Sequence, residues 1–176
     1  TQLPILADRV GATIDWQPIL LGGVFKSTGN QSPAVIAAKA AYMNDDLQRF
    51  SKHYGVPFNW TPHFPINTLA LMRGAVAYQD DPVASSTYRD AIFMAIWVEG
   101  LNLNELDVIG QVLTDAGLDP EELMKRIGQQ TVKDQLIANT EQAVNRGVFG
   151  APTFFVGEQM FFGQDRLDFV TEALSE

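Results

Sequence analysis

The side chains able to do chemistry are few in this chain, and they sit in short stretches. Gln164-Asp165-Arg166 follows a β-rich segment and opens the last expected helix. An acid at that position caps the helix, worth roughly 1 kcal/mol, and the amides of a helix N-terminus favour a carboxylate. Asn30 ends a Gly-rich run, Leu21-Gly22-Gly23-Val24-Phe25-Lys26-Ser27-Thr28-Gly29-Asn30, where asparagine suits a tight left-handed turn. Lys26 in that run is a lone cation, and most such lysines are simply solvated. Ala151-Pro152 precedes a β-rich segment, where a proline ordinarily starts a strand. Asn67 is placed to cap a helix. His53 falls at a helix end, where a cation suits the dipole, and His63 reads as a surface-loop histidine. Asp80-Asp81 and Glu121-Glu122 read as caps and solvated faces.

Composition narrows the chemistry further. The 176 residues hold no cysteine, so disulfides, thiolate nucleophiles, CxxC redox chemistry and Cys-based metal sites are excluded within them. With 2 histidines, a multi-histidine metal centre is excluded as well. Lys plus Arg is 12 and Asp plus Glu is 21, for a net charge of −9. Such a surface repels phosphate backbones and anionic bilayers, so neither a nucleic acid nor a membrane is an expected partner. Hydrophobic residues make up 46% and charged residues 19%, which is a globular composition. No apolar run approaches the roughly 20 residues of a spanning helix. Thr1-Gln2-Leu3-Pro4 shows no basic-then-apolar signal pattern, so a cytoplasmic protein is expected.

The elements that must position these residues are legible in outline. Residues 2–10 read as a short helix ended by Gly11, and residues 12–19 as a strand with Ile14, Trp16 and Ile19 alternating. Residues 21–33 read as a loop. Ser32-Pro33 should open a helix to about Lys52, closed by Gly55. Asn67 should cap a helix from Thr68 to about Asp80, and Ser85 or Ser86 one to Glu99. Asn102 with Glu105 suggests a capping box, Asp119-Pro120 the next helix start, and Thr131 with Asp134 a final cap pair. Thr153–Val156 and Gln159–Phe162, joined by Gly157-Glu158, read as a hairpin, with a helix from Arg166 to Leu174 beyond it.

The order is therefore α-β, a helical block, then β-β-α. A strand that follows a helix and joins a sheet in parallel wants a partner before that helix. The expected fold is thus α/β: a thioredoxin-like sheet with an all-helical insertion, its N-terminal strand lying ahead of Thr1. The expected division is residues 1–33 with 131–176 as the thioredoxin-like domain and 34–130 as the inserted helical domain.

The run Leu21–Asn30, the segment Phe64-Pro65-Ile66-Asn67-Thr68-Leu69, the segment Gly147-Val148-Phe149-Gly150-Ala151-Pro152-Thr153-Phe154-Phe155-Val156 and the segment Phe162-Gly163-Gln164-Asp165-Arg166-Leu167 occur in that order. Together they resemble the 2-hydroxychromene-2-carboxylate isomerase and kappa-class glutathione transferase family, a branch of the DsbA-like thioredoxin superfamily. The resemblance spans essentially the whole chain. It implies a cis Ala151-Pro152 bond, with the Ala151 N–H and C=O turned outward to pair with an extended peptide. Relatives often carry Val or Leu at the Ala151 position, so the pocket wall here should be smaller. The resemblance further implies that Gln164 and Asp165 hold the γ-glutamyl end of glutathione, that Asn30 lies beside the tripeptide, and that Arg166 belongs to the same glutathione site and can reach across a dimer interface. Lys26 and Asn67 are implied on the substrate side, Lys26 facing an anionic carboxylate. The family's sulfur-activating serine is expected ahead of Thr1, so no residue of this chain is assigned the catalytic role.

The function implied is a glutathione-dependent isomerase resembling 2-hydroxychromene-2-carboxylate isomerase, with glutathione as cofactor, a small aromatic substrate and a homodimeric assembly. In that reaction the thiolate adds to the conjugated substrate, a bond rotates, and elimination returns glutathione. A kappa-like glutathione transferase is the alternative within the family. A DsbA-like thiol-disulfide oxidoreductase is the alternative if a Cys-x-x-Cys pair precedes Thr1.

Overall fold

Helix α1 (Gln2–Val10) opens the chain and α2 (Leu21–Thr28) follows a stretch without strand structure, in a computed structural model that describes residues 1–175. A 3-10 turn (Pro33–Val35) leads into α3 (Ala37–Tyr54), then α4 (Leu69–Ala77), α5 (Pro82–Trp97), α6 (Leu106–Asp115), α7 (Pro120–Gly128) and α8 (Gln130–Asn145). Strands β1 (Thr153–Val156) and β2 (Gln159–Phe162) form an antiparallel hairpin, followed by a 3-10 turn (Gln164–Arg166) and α9 (Leu167–Ala173). The hairpin register pairs Thr153 with Phe162 and Val156 with Gln159, the arrangement its turn residues specify. Among the described residues no helix is long and apolar enough to cross a membrane.

The apolar core runs through α4 to α8. Leu71, Ile92, Ile109, Leu113, Leu123 and Leu136 are among its buried members. Tyr88 locks two of these helices together: its buried hydroxyl donates to the Leu71 carbonyl at 2.8 Å. A side chain at Gly74 would overlap that hydroxyl, so α4 can approach α5 closely only because position 74 is glycine. The guanidinium of Arg126 on α7 stacks on the Tyr78 ring and donates to the Ala77 carbonyl, closing the C-terminal end of α4. Helix starts follow local chemistry where an acid precedes a proline. Asp119 Oδ1 accepts from the amides of Glu121 and Glu122, as expected. Asp81 Oδ1 accepts from Val83 and Ala84, so α5 starts at Pro82 and not at Ser85 or Ser86.

Several other expectations are corrected. Residues 12–20 form no strand; the sheet of the described residues has β1 and β2 alone. Helices border this stretch and satisfy its polar groups. Asn139 on α8 donates to the Pro18 carbonyl at 3.2 Å, the Leu20 amide donates to Thr140 Oγ1 at 3.0 Å, and Arg89 on α5 covers Trp16 at 4.2 Å. Residues 21–28 form α2 and not a loop. Its glycines serve contact: a Cβ at Gly23 would lie 3.2 Å from Thr140, so the small residue lets α2 seat on α8, with Val24 fully buried. Ser32 caps only a 3-10 turn, accepting from Ala34 at 3.2 Å, and extended backbone at Ile36 separates that turn from α3. The Asn102–Glu105 pair is a side-chain contact before α6, not a capping box, because Asn102 Oδ1 is taken by Asn104. Thr131 lies inside α8, and Asp134 accepts from Gln130. Asp165 lies within a 3-10 turn and makes no side-chain cap for α9.

Burial raises the pKa of Tyr88 far above its ordinary 10.0, so the folded protein holds this proton more tightly than the unfolded chain does. Stability is therefore full below about pH 10 and falls as pH rises past it. Tyr88→Phe should cost about 1–3 kcal/mol at neutral pH, because the Leu71 carbonyl loses a buried partner. It should also flatten the alkaline decline. Urea unfolding at pH 7 and pH 10.5 checks both, and equal stability of variant and wild type at both values would contradict them.

Candidate functional site

The C-terminal elements and the end of α2 meet around residues 149–152. Gly29 ends α2 in the left-handed conformation, which releases Asn30 toward this loop. The Asn30 side-chain amide donates to the Phe149 carbonyl at 2.8 Å, across 119 residues of sequence. The Ala151-Pro152 peptide is cis, as the resemblance implies; Phe64-Pro65, for which no isomer was foreseen, is cis as well. On the other side of the loop, the Gly163 amide donates to the Pro152 carbonyl at 3.0 Å. The loop is thus held from both flanks. Among the described residues neither the N–H nor the C=O of Ala151 has a hydrogen-bond partner, and Ala151 is exposed. One donor and one acceptor therefore stand free immediately before β1. That geometry lets an extended ligand add itself as a strand.

Aromatic rings flank the loop. Phe149 and Phe162 lie 4.6 Å apart, centroid to centroid, and are 38% and 42% exposed. A Cβ at Gly150 would meet the Phe162 ring at 2.8 Å, so the small residue is what lets the ring lie against the loop. Gly163, at φ 103 and ψ 143, is in a region open only to glycine. A Cβ there would lie 2.5 Å from Asp165 Oδ1. The glycine both turns the chain out of β2 and admits the carboxylate of Asp165 over the turn.

The structure brings Asn30, Ala151, Pro152, Gln164, Asp165 and Arg166 into one neighbourhood. Asp165 and Arg166 are half exposed and pair with each other at 3.5 Å, so the guanidinium is held in the turn itself. The turn is a three-residue 3-10 segment followed by the seven-residue α9, which leaves side chains rather than a long helix dipole to recognise a charged ligand. Lys26 sits exposed in the last turn of α2, with no ion pair among the described residues. Asn67 lies one residue ahead of Thr68, the N-cap of α4, and not at the cap itself; its Oδ1 accepts from the Leu69 amide at 3.1 Å and its backbone N–H donates to Asn104 Oδ1 at 2.9 Å. No hydrogen bond joins it to the 149–166 cluster among the described residues. His53 and His63 lie outside the cluster too; His53 packs on Phe50 and Tyr54.

Sequence reasoning missed Tyr54. This last residue of α3 donates from its hydroxyl to Gln164 Oε1 at 3.0 Å. Its pKa is raised, chiefly by burial and then by the carboxylates of Asp168 and Asp165. No local pattern announces a contact across 110 residues.

Comparison with known proteins agrees with this geometry. A family model for the DSBA-like thioredoxin domain matches residues 1–175. The 2-hydroxychromene-2-carboxylate isomerase of Sphingobium xenophagum is 31% identical over 98% of this chain and 88% of its own. The human glutathione S-transferase kappa 1 is 28% identical over 91% of this chain and 76% of its own. A solved structure of 2-hydroxychromene-2-carboxylate isomerase superposes with a TM-score of 0.87 at 28% identity, covering 99% of this chain and 85% of that one. The chain belongs to the DsbA-like thioredoxin family, in the branch that holds the 2-hydroxychromene-2-carboxylate isomerases and the kappa-class glutathione transferases.

Proposed function

We propose that the protein is a glutathione-dependent isomerase acting on a small conjugated aromatic substrate of the 2-hydroxychromene-2-carboxylate type. The observation that carries this reading is the free donor and acceptor of Ala151, held between Asn30 and Gly163. A tripeptide is the size and shape of ligand that completes such an edge. Bound there, glutathione would supply a thiol that adds reversibly to the substrate. The chain's own residues bind and orient. The Ala151 N–H and C=O pair with the tripeptide backbone, and Asp165 attracts the ammonium of its γ-glutamyl end. Gln164 offers donors to the neighbouring carboxylate. Asn30 fixes the loop and borders the ligand. The half-exposed pair Phe149–Phe162 gives an aromatic ring a surface to lie on. Lys26, a cation on α2 with no ion pair among the described residues, is suited to a substrate carboxylate. Holding two reactants in register is itself worth several kcal/mol of barrier.

The reading as an isomerase and the reading as a kappa-like transferase separate on the fate of glutathione. With a 2-hydroxychromene-2-carboxylate, turnover should need glutathione and leave its concentration unchanged. Conjugation of an aryl halide with no isomerisation of the chromene would instead favour the transferase. Asp165→Ala should weaken glutathione binding by about 1–3 kcal/mol, the scale of hydrogen bonds to charged groups; an unchanged dissociation constant by calorimetry would remove the turn from the site.

We further propose a homodimer. The large apolar side chains Val35, Ile36 and Tyr42 are exposed in and just ahead of α3, and that helix has no buried residue. Light scattering at micromolar concentration should give twice the 19.4 kDa chain mass, and a monomer would refute the assembly.

A further inference from the structure

Helix α3 is hydrogen-bonded to the candidate site through one side chain. None of its residues is buried, and Arg49 pairs within the helix with Asp46. The hydroxyl of Ser51 reaches only the Val56 carbonyl just beyond the helix end. Among the described residues, the bond from Tyr54 to Gln164 is the sole side-chain hydrogen bond linking α3 to a distant part of the chain.

The polarity of that bond has a consequence. A glutamine amide has one acceptor oxygen and, at its other end, one nitrogen with two donors. The phenol donates to Gln164 Oε1, so the oxygen is engaged and the Nε2 end of the amide is left for another partner. Gln164 Nε2 has no partner among the described residues. The neighbourhood is acidic: the carboxylates of Asp165 and Asp168 both act on the Tyr54 hydroxyl. A ligand carboxylate arriving here would meet Asp168 and the Arg166-paired Asp165, and an amide presenting its oxygen would add a further repulsion. Two N–H donors at that position reverse the sign of the local interaction.

We propose that Tyr54 is a positioning residue for ligand recognition: by engaging Gln164 Oε1, it turns the two Nε2 donors of Gln164 toward the carboxylate of the bound ligand. This rests on the reading of the turn as the γ-glutamyl end of a glutathione site. The ligand end that fits is a zwitterion, its ammonium facing Asp165 and its carboxylate facing Gln164. Tyr54 contributes no contact to the ligand. It holds the Gln164 side chain where the ligand carboxylate meets it.

The test is a set of calorimetric titrations with glutathione on wild type, Tyr54→Phe, Gln164→Ala, the double variant and Gln164→Glu. Tyr54→Phe should weaken binding about 3–10-fold, the scale of one hydrogen bond. The double variant should bind no more weakly than Gln164→Ala, because the phenol acts only through that amide. Gln164→Glu can still accept from Tyr54, so its melting temperature should stay near that of wild type. Its binding should nonetheless fall below that of Gln164→Ala, since a carboxylate replaces the donors. Independent, additive losses in the double variant, or a Gln164→Glu protein that binds like wild type, would overturn the proposal while leaving the glutathione site standing. A wild-type protein that binds no glutathione would overturn both.

Discussion

The loop Gly150–Pro152 is held from both flanks, by Asn30 from far along the chain and by Gly163 at the end of the hairpin, and the rest of the site depends on that hold. Asn30 grips it through the Phe149 carbonyl and Gly163 through the Pro152 carbonyl. Each is a single bond of ordinary strength, worth about 1 kcal/mol net. Their effect lies in placement. Between them, the backbone of Ala151 is left with a donor and an acceptor that have no partner among the described residues, which is the condition for pairing with a ligand rather than with the protein. A bond made by Ala151 inside the fold would remove that capacity.

These two anchors are set by the helical core at one remove. Helix α8 supplies Val132 and Leu136 to the core, then Asn139 and Thr140 to residues 18–20 ahead of α2. Gly23 lets α2 lie directly on Thr140. The position of Asn30 at the end of α2 is therefore fixed by packing against α8. Arg146, one residue past α8, covers the Phe155 ring at 3.6 Å and donates to the Gly157 carbonyl, which ties the hairpin to the same helix. One helix thus registers both sides of the loop. On the far side α9 carries the buried Val170 under the hairpin, and Arg9 of α1 reaches Thr171 at 3.5 Å.

Legibility in the sequence followed the range of the interactions. The hairpin, α1 and α7 were readable, because Gly157, Gly11 and the Asp119-Pro120 pair act within a few residues of themselves. The glycines of 22–23 misled, because composition cannot distinguish a glycine that bends a chain from one that admits a neighbouring helix. Residues 12–19 alternate like a strand, yet alternation reports only which side chains are apolar. The ladder needs a second strand, and here Asn139 and Thr140 take the polar groups instead. Asn30, Ala151, Pro152 and the turn at Gln164–Arg166 were found through motifs that resemble a known family, and the fold gathers them. Tyr54 escaped because its partner lies 110 residues away and a tyrosine closing a helix has no signature.

Backbone amide exchange with and without glutathione measures the central proposal most directly, since it reads the Ala151 N–H itself. Saturating glutathione should slow exchange at Ala151 and shift the resonances of Gly163, Gln164 and the Asn30 side chain, with the α4–α8 core unchanged. Unaltered exchange at Ala151 alongside ligand-induced shifts elsewhere would contradict pairing at this loop.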